Sequence, residues 1–221
     1  MKKRLIFALT LLLLLSTYNL QNNFSLDLNS NYKINKIIID NNFIVDDKKI
    51  KQELSFLYNS SIIFPQSKLI KEKLKEIDII ESFEIRKIFP NKIKIKIFEK
   101  TPVAIIQDRS ERKFFTSKGD LIKFFISKKF EDLPVVFGDK DSFKKLNASL
   151  MKVKFPINDI KVFYLFESKR WDLTTRENQT IKLPVKYYEK SLINFLDLKD
   201  KNNFNSYKIF DYRINNQLIL R

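Results

Sequence analysis

Cysteine and histidine are absent from the 221 residues, and glycine occurs only twice. Without cysteine there are no disulfides, thiolate metal sites or thiol nucleophiles, and without histidine no mechanism can use imidazole as base or ligand. Lack of cysteine does not by itself fix a redox compartment, because disulfides are permitted but not required outside the cytoplasm. Gly119 and Gly138 stand apart in turn contexts, so no glycine-rich phosphate loop can be assembled from them. Paired catalytic carboxylates are missing too. Asp46-Asp47, Asp139 with Asp141, and Glu189 lie in polar, helix-capping surroundings without a matched partner. Ser191 beside Lys190 has no nucleophile elbow around it. These absences read as a protein that is not an enzyme and that takes no cofactor, no metal and no small-molecule substrate.

Basic residues, by contrast, are in excess: 42 Lys and Arg against 26 Asp and Glu give a net charge of +16. Such a charge invites a nucleic-acid or anionic-membrane reading. The lysines are spread through every segment instead of forming one patch, which fits general compositional drift better than a nucleic-acid footprint. The three Asn-x-Ser/Thr tripeptides, at Asn59, Asn147 and Asn178, are what chance gives in an asparagine-rich chain.

Met1-Lys2-Lys3-Arg4 precedes an apolar run from Leu5 to Leu15, and basic residues ahead of such a run hold the N-terminus in the cytoplasm while the remainder crosses the membrane. The run has the length of a signal-peptide core, yet no small-x-small cleavage site follows. Tyr18 and Leu20 could extend it to roughly 24 Å as a helix, a short uncleaved anchor. In either case the rest of the chain is expected outside the cytoplasm, where nucleic acid is an improbable partner. Residues 1–20 are therefore assigned to a cytoplasmic stub and signal anchor, with residues 5–20 in the lipid, and residues 21–31 to a polar linker.

The strongest periodicity runs from Glu81 to Gln107. Phe83 and Ile85, then Ile93, Ile95 and Ile97, alternate with charged residues on either side of Phe89-Pro90-Asn91-Lys92, predicting an antiparallel hairpin with one buried and one charged face. Proline has no N–H for a ladder, so Pro90-Asn91 belongs in the turn. Upstream, Ile37-Ile38-Ile39 suits a strand, and Asp40-Asn41-Asn42 a turn in which asparagine takes the left-handed region. Asp46 and Asp47 cap a helix presenting Ile50, Leu54 and Leu57, and Ser67 caps a second one presenting Ile70, Leu74 and Ile77. The order strand, helix, helix, strand, strand predicts a three-stranded sheet with both helices on one face.

Beyond Val103, short apolar runs recur between turn signals: 103–106, 113–116, 121–126 and 133–137. A helix with Phe143, Leu146, Leu150 and Val153, a strand over 160–166, a hairpin over 170–183, a helix with Leu192, Phe195 and Leu196, and a last strand in 207–221 complete the reading. The fold class is α+β, with a mostly antiparallel second domain flanked by two helices.

These residues resemble a known family. The run Ile39-Asp40-Asn41-Asn42, the helix pair, the segment from Ser82 to Ile93 and the close Phe98-Glu99-Lys100-Thr101-Pro102-Val103-Ala104 are similar to the POTRA domain of the FtsQ/DivIB cell-division proteins. The resemblance continues through Thr116 to Ile122, Leu133 to Gly138, Arg170-Trp171-Asp172-Leu173, Ile181 to Pro184 and Phe210-Asp211-Tyr212-Arg213. It implies a βααββ POTRA domain over 32–101 and an FtsQ-type β domain over 102–221. Arg86, Phe89, Pro90, Glu99, Pro102, Gly119, Trp171 and Asp211 are its structural motif residues. Two turns depart from the pattern, with Asn41-Asn42 for Gly-Asn and Asn178-Gln179 for Asn-Gly, and Gln enters positive φ poorly, so the second hairpin is expected longer or looser.

The resemblance also implies a function: a membrane-anchored divisome scaffold at the bacterial inner membrane, its bulk in the periplasm at the division site. It would recruit FtsB- and FtsL-type coiled-coil partners and help control septal peptidoglycan synthesis. In the family the C-terminal part of the β domain is where FtsB docks. Here Ile214, Asn216, Leu218 and Leu220 alternate along the last strand, and an edge strand can accept a partner's strand. Lys169 and Arg170, beside the Trp hairpin, are the expected contacts for a partner carboxylate, and Arg213 joins this partner-binding set. From the residues alone Arg170 fits a solvated surface cation, Trp171 a packed aromatic, and Leu218 and Leu220 closers of the core. Two other readings stay open: a POTRA factor for outer-membrane protein assembly or secretion, and a cationic periplasmic protein binding anionic lipid or cell-wall polymer.

Overall fold

The computed structural model describes residues 2–17, 32–108, 111–199, 201, 206–214 and 217–221. The chain divides into two compact units, Met1–Glu99 and Lys100–Arg221. In the first, helix α1 (Lys2–Thr17) has 16 residues, about 24 Å at 1.5 Å per residue. Among the described residues no helix is long and apolar enough to cross a membrane. Residues 18–31, which hold the end of the expected anchor and the linker, lie outside the description.

The rest of this unit follows the predicted order: β1 (Lys36–Asp40), α2 (Asp47–Glu53), α3 (Ser67–Lys75), β2 (Ile80–Ile88) and β3 (Lys92–Glu99). The strands lie in the order β1-β3-β2. The two helices bring the chain back through β2 in the direction opposite to β1, and the short turn at residues 89–91 reverses it once more, so β3 is antiparallel to β2 and pairs parallel with β1. The Phe89–Pro90 bond in that turn is cis. Central position decides burial. Ile93, Ile95 and Ile97 of β3 are fully buried with Ile50, Leu54, Ile70 and Leu74 of the helices, whereas Phe83 and Ile85 on the edge strand β2 are only half-buried.

Capping is as predicted at the first helix, where Asp46 Oδ1 accepts from the Lys48 N–H at 3.0 Å. At the second it differs. Gln66 occupies the cap and Ser67 is the first helical residue, its hydroxyl donating back to the Pro65 carbonyl at 3.3 Å. Asn41 takes φ 63° and donates its side-chain amide to the Ile97 carbonyl at 2.7 Å, fixing the turn after β1.

The second unit is built on one nine-stranded sheet. It comprises β4 (Pro102–Asp108), β5 (Glu111–Thr116), β6 (Leu121–Lys123), β7 (Val135–Phe137), helix α4 (Lys140–Lys152), β8 (Ile160–Leu165), β9 (Trp171–Thr175), β10 (Thr180–Lys182), helix α5 (Glu189–Lys199), β11 (Ile209–Asp211) and β12 (Ile219–Leu220). Spatial order is β12-β11-β10-β9-β8-β7-β4-β5-β6. Five pairings are antiparallel and three are parallel, so the sheet is mixed. The cause lies in the connections. Helix α4 carries the chain from β7 to β8 and α5 from β10 to β11, and a crossover helix returns the chain parallel. Both helices bury their apolar side, Phe143, Leu146 and Leu150 from α4, Leu192 and Phe195 from α5, against Phe115, Phe163, Trp171, Leu173, Ile181 and Phe210 of the sheet.

Three expectations are corrected here. The strand after Gly119 stops at Lys123, because Phe124 and Phe125 turn to pack on the Phe114 ring, both with centroids at 5.0 Å, and Ile126 is left exposed. The β9–β10 hairpin is not loose. Asn178 takes the positive φ (60°), so Gln179 need not, and the turn closes with the Thr175 N–H on the Gln179 carbonyl at 2.8 Å. Gln179 is buried instead, its side-chain amide donating to the Tyr207 carbonyl at 3.1 Å. Finally, the C-terminal segment is not one continuous strand: β11 and β12 are short and antiparallel, with a turn between them in which the Gln217 N–H donates to the Ile214 carbonyl.

Candidate functional site

Strand β12 stands at one end of the sheet order, with β11 on one side and, among the described residues, no strand on the other. Its register sets what the open side offers. Ile209 and Arg221 exchange both backbone bonds, at 2.9 and 3.1 Å, which makes the next pair, Phe210 with Leu220, a non-bonded one. The N–H and C=O of Leu220 therefore point away from β11, toward whatever lies beside the sheet. Of the residues expected to alternate on this strand, Leu218 and Leu220 are half-buried against the core, and Ile214 lies ahead of the turn, 52% exposed. Asn216 falls outside the described residues. The alternation of Ile214 with Leu220 along a single strand face does not survive, because β12 begins only at Ile219 and the Gln217 N–H bonds back to the Ile214 carbonyl.

Beside this edge is an open groove of about 500 Å³, lined by Pro184, Tyr187, Lys190 and Asn194 on the α5 side and by Tyr212, Ile214 and Leu218 on the C-terminal side. Tyr187, 83% exposed and at φ 59°, stands at its margin. Tyr212 is buried, its hydroxyl donating to Asn194 Oδ1 at 3.0 Å, and burial pushes its phenol well above the ordinary range. Sequence reasoning missed the α5 side of the groove. The one available signal was the doubled Tyr187-Tyr188 beside Pro184, where a helix start exposes one ring.

Two of the three basic residues assigned to partner binding, Arg170 and Arg213, sit by the sheet face turned away from the helices. Along β9, β10 and β11, Trp171, Leu173, Ile181 and Phe210 enter the core, so Asp172, Lys182 and Asp211 point the other way. Registration brings these three side by side, Lys182 opposite both Asp172 and Asp211. Arg170 and Arg213 close the row at its two ends. Arg170 Nε is 3.1 Å from Asp172 Oδ1 and its guanidinium lies 4.3 Å from the Phe166 ring centroid. It is thus neither a solvated nor an unpaired cation. Arg213 grips the buried Asp211 through Nε (2.8 Å to Oδ1) and Nη2 (2.5 Å to Oδ2), and this side-chain bonding holds the Asp211 carboxyl below its usual range. Lys169, exposed at φ 62° in the β8–β9 turn, sits beyond this row. The structure thus brings Arg170 and Arg213 into one charge row, and leaves Ile214 and Leu218 on the groove.

The motif residues take structural positions. Glu99 accepts backbone bonds from Phe43, Ile44 and Val45, at 2.8 to 3.0 Å, and so ties the loop after β1 to the end of β3. Pro102 is buried as the first residue of β4, where a missing N–H is tolerated. Gly119 takes φ 85° in the β5–β6 turn. Trp171 packs against Phe143, ring centroids 6.1 Å apart. It lies so close to Gly138 that a Cβ there would meet its ring at 2.9 Å. Arg86 is exposed on β2 opposite Lys94, itself paired with Asp40 at 2.9 Å. Phe89, exposed at the hairpin tip with Pro90, makes an edge contact with Tyr32 at 6.3 Å. No group of three or more acidic side chains among the described residues could hold a metal ion.

Comparison with known proteins gives consistent results. Residues 32–100 match the model of the POTRA domain, FtsQ-type. Over 167 residues the chain is 31% identical to the cell division protein FtsQ of Rickettsia typhi, covering 73% of this chain and 62% of that protein. It is 31% identical over 157 residues to that of Rickettsia prowazekii, covering 69% and 58%. To that of Bradyrhizobium diazoefficiens it is 23% identical over 166 residues, covering 73% and 48%. The chain thus spans about three-fifths of the length of the first of these relatives. Among solved structures, the major extracytoplasmic domain of the trans isomer of DivIB from Geobacillus stearothermophilus is similar at 14% identity and a TM-score of 0.35, covering 48% of this chain and 98% of that one.

Proposed function

The chain belongs to the FtsQ/DivIB family of bacterial cell-division proteins, with an FtsQ-type POTRA domain at residues 32–100, and from that premise we propose that it is a membrane-anchored scaffold that recruits an FtsB/FtsL-type coiled-coil pair to the division site. α1, with flanking residues up to 20, would hold it in the inner membrane with the remainder in the periplasm. The domains would follow the divisions at 31 and 101. Its work is to bind and to time septal peptidoglycan synthesis through its partners, with no bond made or broken.

The observation that supports this reading most directly is β12. A partner strand laid beside it would find the outward N–H and C=O of Leu220, and the apolar side chains flanking that strand would find the groove next to Ile214 and Tyr187. Arg170, Arg213 and Lys169 would steer acidic residues of the partner, contributing more to on-rate and register than to final affinity.

The test is a pull-down of the detergent-solubilised full chain with its host's FtsB and FtsL homologues. Truncation after Tyr212 also removes Leu218 and Leu220 from the core and the Arg221–Ile209 bonds, so the decisive variant is Leu220→Pro. It deletes an outward N–H without touching the ladder to β11. Loss of capture by Leu220→Pro, with an unchanged circular dichroism spectrum, supports strand addition; undiminished capture removes it.

A further inference from the structure

The POTRA domain carries an apolar surface that the C-terminal docking edge does not use. Four large hydrophobic residues lie exposed on it: Ile63 (43%), Phe64 (82%), Ile88 (39%) and Phe89 (59%). They come from two distant segments held together by named contacts. The Ile62 N–H donates to the Tyr32 carbonyl at 2.9 Å, Lys33 and Ser61 form a β-bridge, and the Tyr32 ring meets the Phe89 ring. Lys87 Nζ, reaching from the hairpin, donates to the Ile63 carbonyl at 2.7 Å and pins the 61–65 loop against it. Apolar side chains grouped this way in a soluble domain ask for a partner surface.

Charge indicates which. The three segments that build this end of the domain, 32–36, 61–68 and 86–92, contain Lys33, Lys36, Lys68, Arg86, Lys87 and Lys92, all exposed, and no aspartate or glutamate. Elsewhere in the same domain acids accompany the bases, as along α2, where Asp47 and Glu53 flank Lys48, Lys49 and Lys51. Aromatic and aliphatic tips inside a predominantly basic rim, in which only Arg86 adjoins acids, Asp40 and Glu84, suit the headgroup region of an anionic bilayer, where rings sit at the interface and lysine heads reach phosphate. Position agrees. Tyr32, on the same surface, is where the described domain begins, and only residues 18–31 separate it from the apolar helix α1. Those 14 residues reach at most about 50 Å when extended.

We infer that the surface formed by Tyr32, Ile63, Phe64 and the Ile88-Phe89 tip is a lipid-docking face that lays this end of the POTRA domain on an anionic membrane surface. It rests on the anchoring proposed above only for the tether. Insertion of the aromatic tips supplies the apolar contribution, and the basic rim makes docking sensitive to salt and to anionic lipid.

The absence of cysteine permits a clean probe. Full-length Gln66→Cys carries a polarity-sensitive fluorophore beside Phe64, and full-length Ser82→Cys carries it at the far end of β2, six residues from Ile88, or roughly 20 Å along the strand. Each is mixed with phosphatidylcholine vesicles, with and without phosphatidylglycerol. The expected result is a blue shift at position 66 only with phosphatidylglycerol, reversed by high salt, absent at position 82, and lost when Ile63→Ser and Phe64→Ser are added. Silence at 66, an equal response at 82, or a response that survives the double substitution overturns the proposal. So does a shift without lipid that grows with protein concentration, which assigns the face to a second copy. A shift produced by polyglutamate but not by lipid assigns it to an acidic protein and equally overturns it. Sedimentation of the same samples reports the anchor separately. Chain bound to phosphatidylcholine with a silent probe leaves anchoring intact and removes the face; chain bound only with phosphatidylglycerol and a responding probe does the reverse.

Discussion

Glu99 is a residue whose role no spacing revealed. The motif marks it at the end of a strand, but it is the fold that closes the loop 43–45 over its carboxylate and satisfies three consecutive N–H groups. Glu99→Ala should cost about 2 kcal/mol, read by urea unfolding, and Glu99→Gln less because one accepting oxygen remains. Gly138 is similar in kind. Trp171 and Leu165 approach it so closely that Gly138→Ala places a methyl 2.9 Å from both, an overpacking expected to cost about 1–3 kcal/mol and to shift the emission of the single tryptophan. Asp211 brings a pH dependence. Arg213 lowers its folded pKa, so the pair's stabilisation is fully present above the unfolded carboxylate value of about 3.9 and is lost as pH falls through the lower, folded value. Asp211→Asn should therefore lower stability at neutral pH by about 1–2 kcal/mol, a modest figure because Arg213 is partly exposed, and should flatten the acid limb below about pH 4. Thermal melts across pH 2–7 check both.

Elements were legible wherever one local pattern decided them. The alternation on either side of Phe89-Pro90-Asn91 specified β2, β3 and their turn, since a two-residue period has only one arrangement with a dry face. The helical stripes at Ile50–Leu57 and Ile70–Ile77 overran their helices: the first ends at Glu53, with Leu57 in a following 3-10 turn, and the second ends at Lys75, although Leu54, Leu57 and Ile77 are buried as their spacing required. Legibility failed where an element's fate depends on its neighbours. Phe83 and Ile85 have the pattern of buried residues, yet β2 lies at a sheet edge and half-exposes them. The C-terminal run alternates like a strand, yet among the described residues only 219–221 pair with β11, and ahead of them the Gln217 N–H bonds back to the Ile214 carbonyl. The groove needs α5 and the C-terminal segment, elements about 20 residues apart in sequence, so no local window contained it. At this scale Ile214→Asp, which charges the groove wall without touching the β11–β12 ladder, should weaken partner capture by tenfold or more while leaving the melting temperature within a degree or two. Binding isotherms beside melts would show it.

For the molecule as a whole, composition set limits that packing could not alter. A chain without cysteine, histidine or a glycine loop has no thiol, imidazole or phosphate-loop chemistry, and a basic apolar N-terminus predicts export. If α1 and its flank anchor the protein, full-length chain should remain in vesicle pellets through alkaline carbonate extraction, whereas chain starting at residue 32 should be released. Retention of the shorter form would mean a second attachment stronger than a peripheral face supplies. What the sequence determined alone was local: the order of the POTRA elements, the Asp46 cap and the left-handed Asn41 turn, because these depend on residues a few positions apart. Only the tertiary structure decided which strands became edges, that the second sheet is mixed, that Arg170 and Arg213 close one charge row, and that the Tyr32 ring meets Phe89. Each of these depends on segments distant in sequence. Sequence periodicity tells a residue which side it faces, and only the assembled chain tells it what stands opposite.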